Sequence, residues 1–325
     1  MAAVPDHVIA PDAALPGETE RRRVMVIVNP HATTVSDRMR TLIVSAVRGR
    51  FEAVTVDTAG RDDATRLARV AADEGFDAVV ALGGDGTVNE AANGLTGTDV
   101  ALFPLPGGAT NVFARMLGIP ADLVDATEHL LGLADAWRTR RVDVGDVNGR
   151  AFLFASGMGL DAAVVRHCDA HPKAKARFKQ SYFAMAAVAT FLQEYLVHPP
   201  RLEAFAGGRR FAGVTTIVQN GPVLTYFHDK PVEVVEGVGL DDGLLGGVML
   251  ERATPLDVPG ITARLLSDRL RVADHRRVAS WPSGTAAVVR SADGRPVPLE
   301  VDGDHIGDVT EARYSVRPRA LTVVA

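Results

Sequence analysis

The alternation of apolar strands with amphipathic helices between residues 23 and 118 limits this chain to few folds. A helical pattern follows each of four short apolar runs that are typical of buried strands, namely "RVMVIVNP", "FEAVTVDT", "DAVVALGG" and "VALFPLP". Short connections between such elements indicate a parallel, doubly wound sheet. The carboxyl ends of the four strands bring in Asn29, Thr58, Gly83 and Gly107. Because ligands bind beyond the carboxyl ends of strands in such sheets, we expect these residues to share one site.

Beyond residue 140 the pattern changes to short strands that are separated by Gly-Gly and Asp-Gly turns, with a hairpin signal at Asn148-Gly149. A chain of 325 residues suits two domains. We predict a disordered tail at 1–21, an α/β nucleotide-binding domain at 22–140 and a β-rich, sandwich-like domain at 141–325. The last strand, "RALTVVA", could return to the first domain, and the sequence leaves this open.

Composition excludes several classes of protein. A net charge of -5 argues against a broad nucleic-acid-binding surface, and we predict no nucleic-acid partner. The single cysteine, Cys168, allows no internal disulfide and fits a reducing compartment. The amino terminus has no secretory signal, and the most apolar helical run, residues 182–192, is too short to span a bilayer. We expect a cytoplasmic protein that could lie peripherally on the inner membrane surface.

A helix is predicted at 173–195, with a basic start and one apolar stripe. It is either an interfacial element that meets anionic lipid or a buried helix with a solvated charged end, and the second interpretation is favoured.

The loop "GGDGT", Gly83 to Thr87, has the character of a phosphate-binding turn. Its glycines let amide groups approach an anion, and the dipole of the following helix favours negative charge. It is not a Walker A loop, because no lysine follows the last glycine. Asp85 makes sense beside phosphate if Mg²⁺ lies between them. The alternative is a tight turn in which Asp85 only caps the helix.

Other segments give weaker signals. "PGGATNVFAR" also follows a strand, and its Thr110 and Asn111 could cap a helix or contact phosphate. Asn29-Pro30 could contact a nucleotide or simply form a turn. "SGMGLDA" fits a dinucleotide fingerprint, but it begins a β region, so we interpret it as a structural turn. The Asp-Gly pairs are hairpin signals first, and the histidines lack the spacing of a zinc site.

In their order along the chain, these segments resemble the catalytic domain of the diacylglycerol kinase family, which includes sphingosine and ceramide kinases and bacterial lipid kinases. The resemblance runs from about Arg23 to the carboxyl terminus, through "GGDGTVNEAANGL", "PGGATNVFAR", "VDVGDVNGRAFLFASGMGLDA", "LDDGLLGGVML" and "EVDGD". It implies a cleft between an α/β nucleotide domain and a β-rich domain. It also implies transfer of the γ-phosphoryl group of ATP, with Mg²⁺, to a lipid hydroxyl at a membrane surface.

The resemblance also implies roles for individual residues. Asp302 matches the catalytic base, and Asp304 matches the acid that follows it. Asp242 matches an aspartate that holds a structural Mg²⁺, with the carbonyls of Gly239 and Leu244 as companions. Asp85 would help to organise the Mg²⁺ of the nucleotide. The residues matching nucleotide contacts are Asn29, Pro30, Thr58, Gly83, Gly84, Asp85, Gly86, Thr87, Val88, Asn89, Gly108, Ala109, Thr110 and Asn111.

Three positions depart from the family pattern: Ala109 replaces Thr, Val112 replaces Asp and Asp304 replaces the usual Glu. These replacements motivate one rival, a non-catalytic nucleotide- or lipid-binding protein. A second rival is a kinase of a soluble substrate such as NAD, since the NAD kinases share "GGDGT". A third, an NAD-dependent oxidoreductase, rests on "SGMGLDA" alone. The sequence leaves open the lipid acceptor and whether the protein is a homodimer.

Overall fold

The structure, a computed structural model, describes residues 21–32, 35–169, 199–227, 229–252, 254–265, 267 and 269–324. The amphipathic helix predicted at 173–195 lies outside the described residues, as does the predicted tail apart from its last residue.

A parallel sheet forms the first half of the chain, in the strand order β2-β1-β3-β4. Its strands are β1 (Arg23–Val28), β2 (Glu52–Asp57), β3 (Ala78–Gly83) and β4 (Ala101–Pro106). Helices connect and follow them: α1 (Asp37–Arg50), α2 (Asp63–Asp73), α3 (Asp85–Leu95), α4 (Val112–Met116) and α5 (Leu123–Leu133). The predicted doubly wound α/β fold is confirmed. The sequence-based prediction has no counterpart of α5, and α3 begins two residues earlier than the pattern indicated.

Local signals account for several boundaries of these helices. The hydroxyl of Ser36 accepts the amide of Met39 and caps α1, as predicted. Gly75 and Gly118 follow α2 and α4 with positive φ, which glycine adopts without steric cost. Strands β3 and β4 are buried along their whole length, because helices cover both faces of a parallel sheet.

In the described part of the second half, the strands are mainly antiparallel and there are two short helices, α6 (Leu160–Asp169) and α7 (Val258–Leu265). Its strands are β5 (Thr139–Val147), β6 (Arg150–Phe152), β7 (Ala155–Met158), β8 (Leu202–Ala206), β9 (Arg209–Gly213), β10 (Thr215–Gln219), β11 (Thr225–Phe227), β12 (Lys230–Val232), β13 (Leu245–Leu250), β14 (Val278–Gly284), β15 (Ala286–Ser291), β16 (Val297–Val301), β17 (Asp304–Val309) and β18 (Glu311–Val324). Six of them form a second sheet in the order β14-β13-β10-β7-β16-β17.

Strand β18 joins the two halves. It pairs antiparallel with β5 and β15 and parallel with β4, where Val323 lies opposite Leu102. One sheet therefore runs from β2 through β4 and β18 to β9. The last strand does return to the first domain, which the sequence had left open.

One Asn-Gly turn and one Asp-Gly turn have both central residues at positive φ, which tight two-residue hairpins between twisted strands require. Asn148-Gly149 connects β5 to β6, and Asp302-Gly303 connects β16 to β17. Strand β7, which carries "SGM", pairs antiparallel with β10 and β16. It is therefore not the first strand of a dinucleotide-binding βαβ unit.

Candidate active site

Two glycine-rich loops meet at the carboxyl ends of β3 and β4. The amide of Gly107 donates to the carbonyl of Gly83 over 2.8 Å. A Cβ on Gly108 would lie 2.7 Å from the Cα of Gly84, so the two backbones pack at a distance that only glycine permits. The two loops thus form one surface, as expected from their positions at the carboxyl ends of neighbouring strands.

The loop after β1 contacts the same surface. The side-chain amide of Asn29 donates to the hydroxyl of Thr87 over 3.0 Å, and its oxygen accepts the amide of His31. Thr58 follows β2, where its amide donates to the carbonyl of Val28. All four strand ends therefore surround one region.

Asp85 bridges the two glycine-rich loops. It is the first residue of α3, and its Oδ1 accepts the amide of Phe113 in the first turn of α4 over 3.3 Å. The adjacent amide of Val112 also stabilises the charged carboxylate. The polar partners of Asp85 are thus backbone amides at the start of α4. The apolar side chain of Val112 does not prevent this, because its amide and not its side chain is the donor. Asn111 closes that loop in a left-handed conformation, bonded through its side chain to the amide and carbonyl of Gly108.

Asp302 lies across from α3, in the turn between β16 and β17, and is 4% exposed. Its Oδ1 accepts the amides of Phe154 and Ala155 over 3.0 and 3.1 Å. Its Oδ2 accepts the amide of Leu153 and the side-chain amide of Asn89, both over 2.7 Å. A carboxylate offers about four lone-pair positions, so all of them are in use. Burial raises the pKa of Asp302 to about 6 despite these four donors.

Asp304, at the start of β17, reaches α3 at Gly86. A Cβ on Gly86 would lie only 2.4 Å from Oδ2 of Asp304, so the carboxylate lies directly against the glycine loop. Burial raises the pKa of Asp85 to about 7, and the negative charges of Asp302 and Asp304 add to this effect. The carboxylates of Asp302 and Asp304 are therefore close enough to repel that of Asp85 at the start of α3, and cationic charge placed among the three would be stabilised.

The described residues contain no group of three or more His, Cys, Asp or Glu side chains that could hold a metal ion by themselves. Asp85 could contribute one carboxylate to a Mg²⁺ ion, since Mg²⁺ in proteins is commonly bound by one or two carboxylates together with phosphate oxygens and water.

The structural Mg²⁺ site at Asp242 stays a prediction. Asp242 accepts the amide of Gly239 through Oδ2 and the amide of Leu244 through Oδ1, over 2.6 and 2.9 Å. Asp242 thus stabilises an exposed turn, in which Gly243 donates to the buried Asp143.

Two residues in the predicted nucleotide set are buried. They are Val88 and Asn89, and the side-chain amide of Asn89, which is 1% exposed, donates to Asp302 and to the carbonyl of Ala151. Pro30 and Ala109 are exposed and Thr110 is half-buried, all three near the strand ends.

Sequence reasoning missed the residues that surround Asn89. The guanidinium of Arg150 donates to Oδ1 of Asn89 over 3.1 Å and pairs with Asp62 over 3.0 Å. Asn93, one helical turn after Asn89, binds both the amide and the carbonyl of Ala151. The only local signal is the i, i+4 spacing of the two asparagines on α3.

Residues 23–147 match the family model of the diacylglycerol kinase catalytic domain. A diacylglycerol kinase of Bacillus subtilis is 36% identical over 144 residues, which cover 42% of this chain and 46% of the relative. A diacylglycerol kinase of Staphylococcus saprophyticus is 29% identical over 41% of this chain and 44% of its own length. The chain spans about half the length of the curated relatives it matches. The predicted resemblance is confirmed over this range.

The structural likeness extends further along the chain. A crystal structure of a proposed diacylglycerol kinase from Bacillus anthracis strain Sterne superposes with a TM-score of 0.74 at 21% identity, and covers 95% of this chain and 97% of that one. At this identity the likeness shows the fold, and it includes the β-rich half. Among the helices of the described residues, none is both long and apolar enough to cross a bilayer.

Proposed function

Because residues 23–147 carry a diacylglycerol kinase catalytic domain, we propose that this chain is a lipid kinase that transfers the γ-phosphoryl group of Mg-ATP to a lipid hydroxyl. The main support for the proposal is the contact between Asp304 and Gly86, through which an acid of the β-rich half lies against the glycine loop. A nucleotide bound at the loop would have this acid beside its terminal phosphate.

The two glycine-rich loops would hold the phosphates through backbone amides, helped by the dipole of α3. Asp85 and Asp304 would face the Mg²⁺ that accompanies ATP, and the ion would neutralise both the carboxylates and the developing charge on the transferred group. Catalysis of this kind depends mainly on positioning and charge neutralisation, so rigid packing between the loops serves the reaction directly.

Asp302 would accept the proton of the lipid hydroxyl. Three of its four hydrogen-bond donors are backbone amides in fixed positions, and the fourth is the side chain of Asn89. The incoming hydroxyl would therefore have to share or replace the Asn89 contact at Oδ2. A pKa near 6 leaves the carboxylate largely charged at neutral pH, as a general base requires.

The test is a phosphoryl-transfer assay with radiolabelled ATP, Mg²⁺ and mixed micelles of diacylglycerol, sphingosine or ceramide, with NAD beside them. We expect a phosphorylated lipid and no phosphorylated NAD. Asp302→Asn and Asp304→Asn should each lower turnover, with the unfolding midpoint measured beside every rate. If Asp302→Asn retained wild-type turnover, Asp302 would not be the general base.

The same assay separates the rival functions. A kinase of a soluble substrate would phosphorylate NAD and leave every lipid unchanged. A binding protein without catalysis would bind Mg-ATP, as seen by calorimetry, and turn over nothing. Either result would refute the lipid kinase.

A further inference from the structure

We propose that Arg150 is a positioning residue that fixes the side chain of Asn89, and through it one face of the Asp302 carboxylate, in the geometry needed for phosphoryl transfer. This inference rests on the proposed function, because it concerns the group proposed to accept the proton.

Asn89 is the one side-chain donor to Asp302 among the contacts of the described residues. Its nitrogen donates to Oδ2 of Asp302 over 2.7 Å and to the carbonyl of Ala151 over 2.9 Å. An amide turned by 180° would instead place its oxygen against the carboxylate and against that carbonyl. Two acceptors would then face acceptors in a buried site, so the orientation of this amide decides whether Asp302 is supported or repelled.

Two donors hold the oxygen of Asn89 on the opposite side. Nη2 of Arg150 donates to it over 3.1 Å, and Nδ2 of Asn93 donates over 3.0 Å. Asn93 is itself fixed, because its oxygen accepts the amide of Ala151 and its nitrogen donates to the carbonyl of the same residue. The orientation that supports Asp302 is thus selected at both ends of the Asn89 amide.

Arg150 contributes the charged member of this pair, and charged donors form the stronger hydrogen bonds. It lies on β6, directly before Ala151, and its Nη1 pairs with Asp62 at the start of α2. Its side chain is 25% exposed. The residue therefore ties β6, α2 and α3 together at the point where the β-rich half meets the glycine loop.

Arg150→Met removes the donor and keeps much of the side-chain volume, whereas Arg150→Lys keeps a cation within reach of Asn89 or Asp62. Nε of Arg150 is buried and finds no acceptor among the described residues, so lysine sacrifices no contact there. The matched control is Arg141→Met, which removes another arginine paired with an exposed aspartate. That aspartate, Asp99, precedes β4, whereas the glycine loops follow β3 and β4.

We expect Arg150→Met to lower kcat roughly tenfold while KM for ATP stays within about twofold, because the change disturbs the proton acceptor and not the phosphate loops. Arg150→Lys should recover at least about a third of the lost turnover, and Arg141→Met should match the wild type. Asn89→Ala should lower kcat as well. The double variant Arg150→Met/Asn89→Ala should be no slower than Asn89→Ala alone, because Arg150 acts through Asn89.

Selective ¹⁵N-asparagine labelling gives a readout that needs no turnover. The side-chain amide of Asn89 should give slowly exchanging proton signals in the wild type and in Arg150→Lys, and lose that protection in Arg150→Met. If Arg150→Met does not fold, as its unfolding midpoint would show, Arg150→Gln replaces it in both measurements.

Wild-type kcat in Arg150→Met would overturn the inference, as would an unchanged Asn89 signal or losses that multiply in the double variant. A wild type that phosphorylates no lipid would refute the proposed function instead, and the amide measurement would then still decide whether Arg150 orients Asn89.

Discussion

Gly86→Ala should separate activity from stability, because the atoms nearest to its single added methyl group belong to the carboxylate of Asp304. An ideal Cβ on Gly86 would lie 2.4 Å from Oδ2 of Asp304, 3.2 Å from Cγ and 3.4 Å from Oδ1. An ordinary contact between a carbon and an oxygen atom is ~3.4 Å, so the nearest oxygen must withdraw by about 1 Å. The backbone of Gly86 has an ordinary helical φ, so alanine brings no strain of its own.

The expected change in stability is small. Moving the Asp304 side chain off its preferred rotamer costs about 0.5–1.5 kcal/mol. Replacing glycine in a helix by alanine returns up to about 1 kcal/mol, and less in the first turn, where Gly86 lies. The two contributions nearly cancel, so the free energy of unfolding should change by less than about 1 kcal/mol.

Turnover should fall much further. A displacement of about 1 Å in a group that positions the reacting atoms can cost on the order of a hundredfold in rate, so we expect kcat to fall between about 10-fold and 100-fold. The assay is lipid phosphorylation at saturating Mg-ATP, with urea unfolding of the same preparation. Gly132→Ala in α5 is the matched control, since a Cβ there meets no other atom of the described chain within 4 Å.

The same substitution in an Asp304→Ala background identifies the cause of the loss of turnover. In Asp304→Ala, the methyl group of Gly86→Ala has no carboxylate to displace, so it should change kcat no further. A further loss of ATP affinity in that background would mean that the methyl group blocks the phosphates directly. Wild-type kcat in Gly86→Ala, or a loss of stability above about 3 kcal/mol, would refute the reasoning.

The glycines and the buried acids give three further predictions. Gly108→Ala should lower the free energy of unfolding by about 1–3 kcal/mol in urea, because its Cβ would lie 2.7 Å from the backbone of the other loop; an unchanged midpoint would contradict this. Gly94→Ala should cost a similar ~1–3 kcal/mol, because its Cβ would lie 2.5 Å from the backbone of α2, yet leave kcat unchanged. Stability without ligand should fall as pH rises from about 4 to 7, because Asp85 and Asp302 titrate near 7 and 6 in the folded chain and near 3.8 when unfolded. The folded chain then binds more protons in this window, and Asp85→Asn should flatten the urea-midpoint curve; a curve that rises with pH would contradict the burial of both groups.

The part of the site that follows from strand ends could be predicted from the sequence. Parallel strands bring their carboxyl ends to one edge, so Asn29, Gly83 and Gly107 had to lie near one another once the strands were recognised. The Asp302-Gly303 pair likewise predicts its own hairpin, because both residues tolerate positive φ.

The contacts that orient the acids could not be predicted in this way. Asn89 and Asp302 are 213 residues apart, and nothing in the local pattern of either distinguishes a partner from a solvent-facing residue. Arg150 follows an Asn-Gly turn, where a charged residue is ordinary. The carboxylate of Asp85 accepts amides at the start of the next helix, α4, and no local pattern around Asp85 indicates these partners.

The path of β18 explains why such distant groups can be held to the precision that phosphoryl transfer requires. This strand of 14 residues pairs with β5 and β15 in the β-rich half and reaches β4 in the α/β half. The two halves therefore share one hydrogen-bonded sheet, and a rotation between them would break pairs of β18. Asp302 lies in the two-residue turn between β16 and β17, and Asp304 is the first residue of β17, so both acids move with the second sheet. That sheet is tied to the first where β6 leads into β7, because Asp302 accepts the amides of Leu153, Phe154 and Ala155 there.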